Sequence, residues 1–203
     1  MTDRWRLLAC RGCGSAIVEA MLVACGVPYE REEANYETPE GRARLLEVNP
    51  LAQVPTMVLP DGSIMTESAA IAIYLDETYP EVGLLPPIGD PLRMTALRWL
   101  VFLVAAVYPT FTYGDEPEKW AGPELGTSTH AHRKVLWQQL EGEGRGPWFL
   151  GERWSVLDLY VSVMTRWRPN RPWFAATCPK LHAIAVALDD DPRFAPLWSA
   201  NFD

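Results

Sequence analysis

The stretch from Asn49 to Tyr79 reads NPLAQVPTMVLPDGSIMTESAAIAIYLDETY and holds several structural signals in a fixed order. Pro55 precedes the apolar run 56–59, and a proline, which cannot donate to a sheet ladder, belongs at the start of a strand or at an edge. Residues 60–62, Pro-Asp-Gly, predict a tight turn. Residues 63–65 can then return as an antiparallel partner, so this part of the stretch predicts a β-hairpin.

A helix start follows the hairpin. Thr66, Glu67 and Ser68 offer polar cap chemistry and a carboxylate before the helix-favouring run 69–75. The free N–H groups at the N-terminus of such a helix form a ready anion site. Taken alone, the stretch is equally compatible with a hairpin and a helix that bind no ligand.

The order Gln53-Val54-Pro55, hairpin, Glu67-Ser68 resembles the glutathione-binding half of the cytosolic glutathione S-transferases of bacterial type. That half is a thioredoxin-like domain. The resemblance implies a cis peptide bond before Pro55, although most bonds before proline are trans. It also implies that Val54 presents its backbone to the cysteinyl part of glutathione, with Gln53 beside it. Glu67 and Ser68 would hold the γ-glutamyl end.

The elements on either side of this stretch predict two domains. Residues 1–84 follow the order β-α-β-α-β-β-α, an α/β thioredoxin-like domain, and 80–91 (PEVGLLPPIGDP) is the natural linker. Residues 91–203 are predicted to form an all-α bundle. Its predicted helices are 92–113, kinked or ended at Pro109, then 128–141, 155–167, and two that start near 178 and 191.

A second landmark lies in the helical half. Ser155 and Asp158 have the spacing of a capping box, and Trp154 and Leu159 are spaced as a hydrophobic staple. These residues are predicted to help folding rather than catalysis. A similar cap after a Leu-Gly pair is found in the helical half of glutathione S-transferases, so the resemblance covers essentially the full length.

The loop before the first helix is the place to look for chemistry. The family's reaction needs a sulfur anion, whereas a free thiol has a pKa of roughly 8.5. A helix N-terminus and one hydroxyl or thiol donor can stabilise that anion. Several classes of the family keep a tyrosine at the end of the first strand, where residues 7–9 here are Leu-Leu-Ala. The candidate catalytic residues are therefore Cys13, Ser15 and Cys10.

Two other functions remain open at this point. Cys10 and Cys13 have the C-x-x-C spacing of redox-active dithiols, so a glutathione-dependent thiol–disulfide reductase that uses either sulfur as nucleophile is one alternative. The other alternative is a non-catalytic binding module of the same fold, in which Glu67 and Ser68 serve only folding.

The second substrate is expected between the two domains. Aromatic surface with a few polar groups suits a small hydrophobic electrophile. The candidate contacts come from the long helix, the loop after it and the end of the capped helix. They are Tyr108, Phe111, Tyr113, Trp120, Arg166 and Trp167.

Composition narrows the partners and the compartment. The chain has 203 residues, a formal net charge of −8 and a pI of about 4.9, which argues against a nucleic acid partner. Three histidines and four cysteines give no metal-ligand spacing. The apolar run 99–108 is shorter than the ~20 residues of a membrane helix. No secretory signal is visible, which predicts a cytoplasmic protein. The resemblance implies glutathione as co-substrate, a role in detoxification and a homodimer.

Overall fold

The computed structural model describes residues 4–203, which form two compact units. The first unit combines the residues up to Leu84 with Asp189–Asp203, and the second is Leu85–Leu188. The predicted division placed 189–203 in the helical domain. That placement differs from the structure, because the last helix packs against the first helix of the chain. A side-chain hydrogen bond of 3.3 Å from Asn201 to the buried Glu19 joins the two helices.

The first unit is built on a mixed four-stranded sheet of β1 (Trp5–Ala9), β2 (Tyr29–Glu33), β3 (Thr56–Val58) and β4 (Ile64–Met65). The strands lie in the order β2-β1-β3-β4. Strand β1 pairs in parallel with β2 and antiparallel with β3, and β3 pairs antiparallel with β4. This topology and the order of the elements confirm the predicted thioredoxin-like domain.

The helices of the first unit are α1 (Ser15–Ala24), α2 (Pro39–Leu46), α3 (Ser68–Thr78) and, from the end of the chain, α10 (Ala195–Phe202). Helix α1 ends as predicted. Gly26 has a φ of +63°, and the amides of Gly26 and Val27 donate to the carbonyls of Val23 and Leu22. That pair of hydrogen bonds is the Schellman motif, for which glycine is favoured.

The predicted hairpin is also present. The amide of Gly62 donates to the carbonyl of Leu59 at 2.9 Å, and the amide of Leu59 donates to Ser63. The carboxylate of Asp61 accepts from the amide of Ser63 at 2.8 Å, which fixes the turn. The Val54–Pro55 peptide bond just before β3 is cis.

The second unit is helical. It contains α4 (Pro91–Phe102), a π-helical turn (Leu103–Val107), α5 (Tyr108–Gly114), α6 (Pro123–Glu143), α7 (Val156–Met164), α8 (Arg171–Thr177) and α9 (Pro179–Asp189), which ends at the boundary of the unit. Its core contains fully buried aromatic side chains. Trp99 packs edge-on against Phe149 at 6.0 Å, and Trp137 packs against Phe174 at 5.1 Å.

Helix α6 begins at Pro123, five residues before the predicted start at Ser128. The sequence between them, Glu-Leu-Gly-Thr, favours a loop by composition, but packing decides otherwise. A Cβ on Gly126 would lie 3.2 Å from the carbonyl oxygen of Gly114, and a Cβ on Gly114 would meet Thr129. Glycine at both positions lets α5 and α6 approach closely, and this contact stabilises the first turns of α6.

The predicted break near Pro109 takes the form of a widened turn. Pro109 has no amide hydrogen and lies in the first turn of α5, directly after the π-helical turn. Helix α4, this turn and α5 form one continuous apolar helix of 24 residues, Pro91–Gly114. By length and composition such a helix could cross a membrane, but the core helix of a soluble protein has the same properties.

The capping box that the sequence predicts at the start of α7 is present. The buried carboxylate of Asp158 accepts from the amide of Ser155 at 2.7 Å and from its hydroxyl at 3.0 Å. The other carboxylate oxygen accepts from the amide of Phe149 at 2.8 Å. Asp158 therefore joins the helix start to the segment before it, which the sequence pattern did not predict.

Candidate functional site

The segment before β3 is held by two buried polar side chains. The side-chain amide nitrogen (Nδ2) of Asn49 donates to the hydroxyl of Thr56 at 2.9 Å and to the backbone carbonyl of Gln53 at 3.3 Å. The same carbonyl accepts from the Thr56 hydroxyl at 2.8 Å. Gln53 itself is exposed, and Val54 and Pro55 are half-buried. The three predicted glutathione-binding residues therefore lie at the surface on a rigid support.

Asn49 and Thr56 were not among the residues predicted for the site. The sequence pointed to Asn49 only in part, because Asn49 is the first residue of the stretch that decides the fold. Both are polar residues with side chains that are at least 95% buried, at 5% and 0% exposure. Buried polar groups are almost always hydrogen-bonded, and here their partners belong to the segment that carries Val54. A sequence shows neither their burial nor these partners.

Glu67 and Ser68 lie where α3 begins. Glu67 is the N-cap residue, with a φ of +64° and a ψ of 101°, and its side chain makes no capping hydrogen bond to the helix. Its carboxylate is exposed. For a residue with a Cβ, this backbone conformation is strained, at a cost on the order of 1–3 kcal/mol. Ser68 follows as the first residue of the helix and is half-buried.

The loop from Cys10 to Ser15 is closed by the serine. The hydroxyl of Ser15 donates to the carbonyl of Cys10 at 3.0 Å and accepts from the Cys10 amide at 3.1 Å. Its side chain is fully buried. Ser15, a candidate catalytic residue, therefore has a structural role in this loop. Its hydroxyl is hydrogen-bonded to the Cys10 backbone and has no exposed surface that a ligand could contact.

Cys10 and Cys13 differ in exposure. Cys10 is 6% exposed, and its thiol donates to the carbonyl of Arg11 at 3.7 Å. Burial raises the pKa of the Cys10 thiol well above its usual range, and the neighbouring Cys13 raises it further. Cys13 is half-buried. Burial also raises the pKa of Cys13, an effect that Glu37 and Glu33 reinforce and that hydrogen bonds with Cys10 and Tyr36 partly oppose.

Tyr36 is the residue of this loop region that sequence reasoning missed. Its hydroxyl oxygen lies 3.9 Å from the Cys13 sulfur, although 23 residues separate them. Burial raises the pKa of Tyr36, so its phenol stays protonated at neutral pH. Tyr36 follows β2, and it places a phenol beside the loop that follows β1. Only the parallel pairing of β1 with β2 brings the two segments together.

Several of the candidate second-substrate residues meet within the second unit. The ring of Trp167 packs edge-on against Tyr108 at 5.7 Å and against Phe111 at 5.1 Å. Trp167 and Arg166 also line a cavity of about 420 Å³. Phe111 is buried, whereas Tyr108 and Trp167 are half-buried. These residues form a single aromatic cluster.

Tyr113 and Trp120 form a separate pair. Their rings pack at right angles with centroids 4.8 Å apart, and the side chains are 41% and 55% exposed. Neither residue has a ring contact with Trp167 among those described. The structure therefore divides the predicted second-substrate residues into two groups.

The described part of the chain contains no metal-binding cluster. Within residues 4–203, no group of three or more histidine, cysteine, aspartate or glutamate side chains could hold a metal ion. All four cysteines are free thiols.

Comparison with known proteins identifies the family. Residues 15–78 match the family model described as the glutathione S-transferase N-terminal domain. The uncharacterized GST-like protein YncG of Escherichia coli K12 is 39% identical over 199 residues, which cover 94% of this chain and 95% of that protein. A probable maleylacetoacetate isomerase of Caenorhabditis elegans is 42% identical over 183 residues, covering 87% and 84%.

Among solved structures, a sphingomonad glutathione S-transferase complexed with glutathione aligns with 97% of this chain. The alignment covers 98% of that protein, with a TM-score of 0.82 and 27% sequence identity. The similarity therefore extends over both compact units and over nearly the full length of relatives from bacteria and an animal. The chain belongs to the glutathione S-transferase family.

Proposed function

We propose that this protein is a glutathione S-transferase that joins the sulfur of glutathione to a small hydrophobic electrophile. The observation that carries the proposal is the backbone of Glu67, held at a φ of +64° at the start of α3. Strained residues persist where the surrounding structure fixes them, and they cluster at ligand sites. The strain leaves the Glu67 carboxylate exposed and uncommitted to the helix, where it can meet the ammonium group of a γ-glutamyl moiety.

The rest of the proposed glutathione site follows from exposed backbone and a helix start. Val54 offers its amide and carbonyl to the cysteinyl part of glutathione, as an added strand would, with Gln53 beside it. Pro55 holds the chain in place before β3. Ser68 and the first N–H groups of α3 face the γ-glutamyl carboxylate, because helix N-termini attract anions.

The chemistry needs only a stabilised thiolate. For an aryl halide, the glutathione thiol loses its proton to solvent and the sulfur attacks the ring carbon that bears the halogen. A carbon–sulfur bond forms, the carbon–halogen bond breaks, and halide leaves. Cys13 is our candidate donor to the thiolate, supported by its half-buried position beside α1. The structure of the sphingomonad glutathione S-transferase complexed with glutathione supports glutathione as the co-substrate.

The thiol–disulfide reductase is the second candidate function. It is favoured by the C-x-x-C spacing of Cys10 and Cys13 and by the turn that joins them, in which the Cys13 amide donates to the Cys10 carbonyl at 3.1 Å. It is disfavoured by the electrostatics, since burial and the carboxylates of Glu33 and Glu37 raise the pKa of both thiols. A nucleophilic cysteine needs the opposite, a lowered pKa.

Calorimetric titration with glutathione tests the proposed site. The parent should bind glutathione, and Glu67→Gln and Ser68→Ala should each weaken binding about tenfold or more. A hydrogen bond to a charged group contributes about 1.5–3 kcal/mol, and 1.4 kcal/mol is roughly tenfold in affinity. The exposed Glu77→Gln on the same helix is the matched control and should bind like the parent.

Two rate measurements then separate the three functions. A transferase conjugates 1-chloro-2,4-dinitrobenzene faster than it reduces a mixed disulfide of glutathione, and a reductase does the reverse. A protein that binds glutathione but accelerates neither reaction is a binding module. If Glu67→Gln and Ser68→Ala bind glutathione as tightly as the parent, the glutathione site lies elsewhere.

We also infer a homodimer that acts in the cytoplasm, in detoxification of such electrophiles. Met94 and Val101 are 81% and 56% exposed, and seven residues apart they share a face of α4. Such apolar surface supports association between copies. Four free thiols suit a reducing compartment. Light scattering after gel filtration should give twice the mass of 22.8 kDa for the parent and a smaller species for Met94→Glu.

A further inference from the structure

Two adjoining cavities lie within the second unit. One has a volume of about 270 Å³ and the other about 420 Å³, and both are lined by Asp115 and Arg168. The larger is also lined by Trp167 of the aromatic cluster. The smaller is lined by polar side chains of α6, among them His130 and Arg133. The indole of Trp167 therefore lies beside the smaller cavity, which is lined by polar and cationic side chains and is called the recess below.

Arg133 gives this recess its charge but has little to offer a ligand. Its side chain is 1% exposed, and its guanidinium donates to the hydroxyl and carbonyl of Thr110, to the carbonyl of Arg168 and, at 3.4 Å, to the carboxylate of Asp115. It also stacks on Phe111, with 3.7 Å from its central carbon to the ring centroid. Arg133 is thus a fixed positive charge at the back of the recess, partly balanced by Asp115.

The groups that remain available are His130, Thr127 and Arg168. The Nε2 atom of His130 is buried and has no hydrogen-bond partner within the part of the chain that the structure describes. Burial and the charges of Arg133, Lys134 and Arg168 lower the pKa of His130, so its imidazole is neutral and can carry its proton on Nε2. A buried ring N–H without an acceptor is costly, and an anion in the recess would supply the acceptor.

Arg168 stands at the point where the cavities meet. Its side chain is exposed and lines both cavities. A guanidinium presents two parallel N–H groups that match the two oxygens of a carboxylate. The arrangement is unusual in a chain whose net charge is −8, where a free anion would otherwise be repelled.

We propose that these two cavities bind an aromatic carboxylate, with its ring beside Trp167 and its carboxylate between Arg168 and His130. The inference rests on the proposed function for one point only, that the bound acid is the electrophile. It then names the substrate class as aryl or arylalkyl acids with a leaving group on the carbon frame. Thr127 lies at the rim of the recess and supplies a further hydroxyl to the carboxylate.

The binding test omits glutathione, so that it does not depend on the transfer reaction. The probe is 3,5-dinitrobenzoate, compared with 3,5-dinitrobenzamide, which has the same ring and no charge. Binding is followed by quenching of tryptophan fluorescence and by calorimetry. The parent should bind the acid about tenfold or more tightly than the amide, the gain expected from a charge-assisted hydrogen-bond pair.

Three variants make the test specific. Arg168→Met removes the exposed charge and should lower affinity for the acid about tenfold, while affinity for the amide should change by less than about twofold. Arg145→Met removes an exposed charge of the same unit outside both cavities and should leave both ligands unchanged. Thr127→Val should weaken binding of the acid by a smaller factor of about three to ten, which is the contribution of one neutral hydrogen bond.

The proposal is overturned if the parent binds acid and amide equally. It is also overturned if Arg168→Met and Arg145→Met lower the affinity for the acid to the same extent, because that result would indicate a general effect of charge. With glutathione present, 4-chloro-3,5-dinitrobenzoate then tests the role of the acid. If the benzoate binds but only neutral aryl halides are conjugated, the bound acid is not the electrophile. If the benzoate binds and no aryl halide is conjugated, the transferase is refuted and not the site, whereas conjugation of neutral aryl halides without benzoate binding would refute the site and not the transferase.

Discussion

The carboxylate of Asp158 offers the sharpest test of how this structure is held together. Replacing Asp158 by Ala removes three acceptor contacts at once, from the amide and hydroxyl of Ser155 and from the amide of Phe149. Asp158 has no exposed surface, so water does not replace the lost acceptor at either amide without rearrangement. The start of α7 and the segment before it should both be destabilised.

The magnitude follows from the contacts. Loss of an N-terminal cap costs about 0.5–2 kcal/mol, and an unsatisfied buried amide at Phe149 adds about 1–3 kcal/mol. Because the contacts share one side chain, their contributions are not strictly additive. The expected loss is therefore on the order of 2–4 kcal/mol, larger than a cap alone would give.

The pH dependence of that loss is a stricter test. Burial raises the pKa of Asp158 from 3.8 to about 6, although hydrogen bonds to the carboxylate oppose the rise. The folded protein therefore holds this proton more tightly than the unfolded chain, and the free energy of unfolding falls as pH rises between these two values. Alanine does not titrate. The parent's advantage over Asp158→Ala should be roughly 2 kcal/mol greater at pH 4.5 than at pH 7.5.

Urea unfolding followed by tryptophan fluorescence at both pH values measures these differences. Asp190→Ala, which removes an exposed carboxylate, is the matched control and should change stability by less than about 0.5 kcal/mol. The reasoning is refuted if Asp158→Ala unfolds like the control. It is equally refuted if the parent's advantage grows from pH 4.5 to pH 7.5, since burial would then not dominate the Asp158 pKa.

Three further predictions concern the first unit. Cys13→Ser should leave conjugation of 1-chloro-2,4-dinitrobenzene within about tenfold, because a transferase uses the protein thiol at most as a neutral donor, whereas loss of all activity, in a parent that reduces mixed disulfides faster than it conjugates, would indicate the reductase. Asn49→Ala should lower the free energy of unfolding by about 1–3 kcal/mol and weaken glutathione binding measured by calorimetry, because it removes one of the two side-chain hydrogen bonds to the carbonyl of Gln53; unchanged binding would mean that this support is dispensable. Glu19→Ala should cost about 1–3 kcal/mol, since it removes a buried acceptor from Arg31 and Asn201 while Arg31 keeps its ion pair with Glu33, and hydrogen exchange in α10 should rise; unaltered exchange there would contradict the role of the Asn201 contact.

Local signals in the sequence predicted the elements whose causes are local. The turn at Asp61-Gly62, the glycine after α1 and the capping box at Ser155 each depend on residues within six positions of one another, and each is present. The family resemblance predicted the cis bond before Pro55, which the structure contains. For such elements a sequence and a few rules of backbone geometry suffice.

The start of α6 shows why other elements could not be predicted. Residues 123–127 have weak helix propensity, and the helix there depends on the close approach of Gly126 to Gly114. Two glycines twelve positions apart carry no periodic signal that identifies them as a helix crossing. Tertiary packing overrides propensity at such places. The last helix is a similar case, because α10 joins the first unit through Asn201 and Glu19, which are 182 residues apart.

The candidate site divides in the same way. Sequence reasoning selected Cys10, Cys13 and Ser15 by position but could not rank them, because burial decides their roles. Ser15 is buried and bonded to the Cys10 backbone, whereas Cys13 remains half-buried. Tyr36 was missed because its link to Cys13 depends on the pairing of β1 with β2. Its position beside the sulfur was visible only once the strands were paired.

These arrangements bear directly on which chemistry the loop can perform. A dithiol reductase needs a thiolate on the protein, and therefore positive charge or free helix N–H groups near an exposed sulfur. Here burial and the carboxylates of Glu33 and Glu37 favour the protonated thiol at both sulfurs, and for Cys13 they outweigh the hydrogen bond with the Tyr36 phenol, which lowers its pKa. A protonated thiol is a poor nucleophile but a competent hydrogen-bond donor. The same environment that weakens the protein's own sulfur as a nucleophile therefore suits it to stabilise the sulfur of a bound thiol, which is the division of labour that a transferase requires.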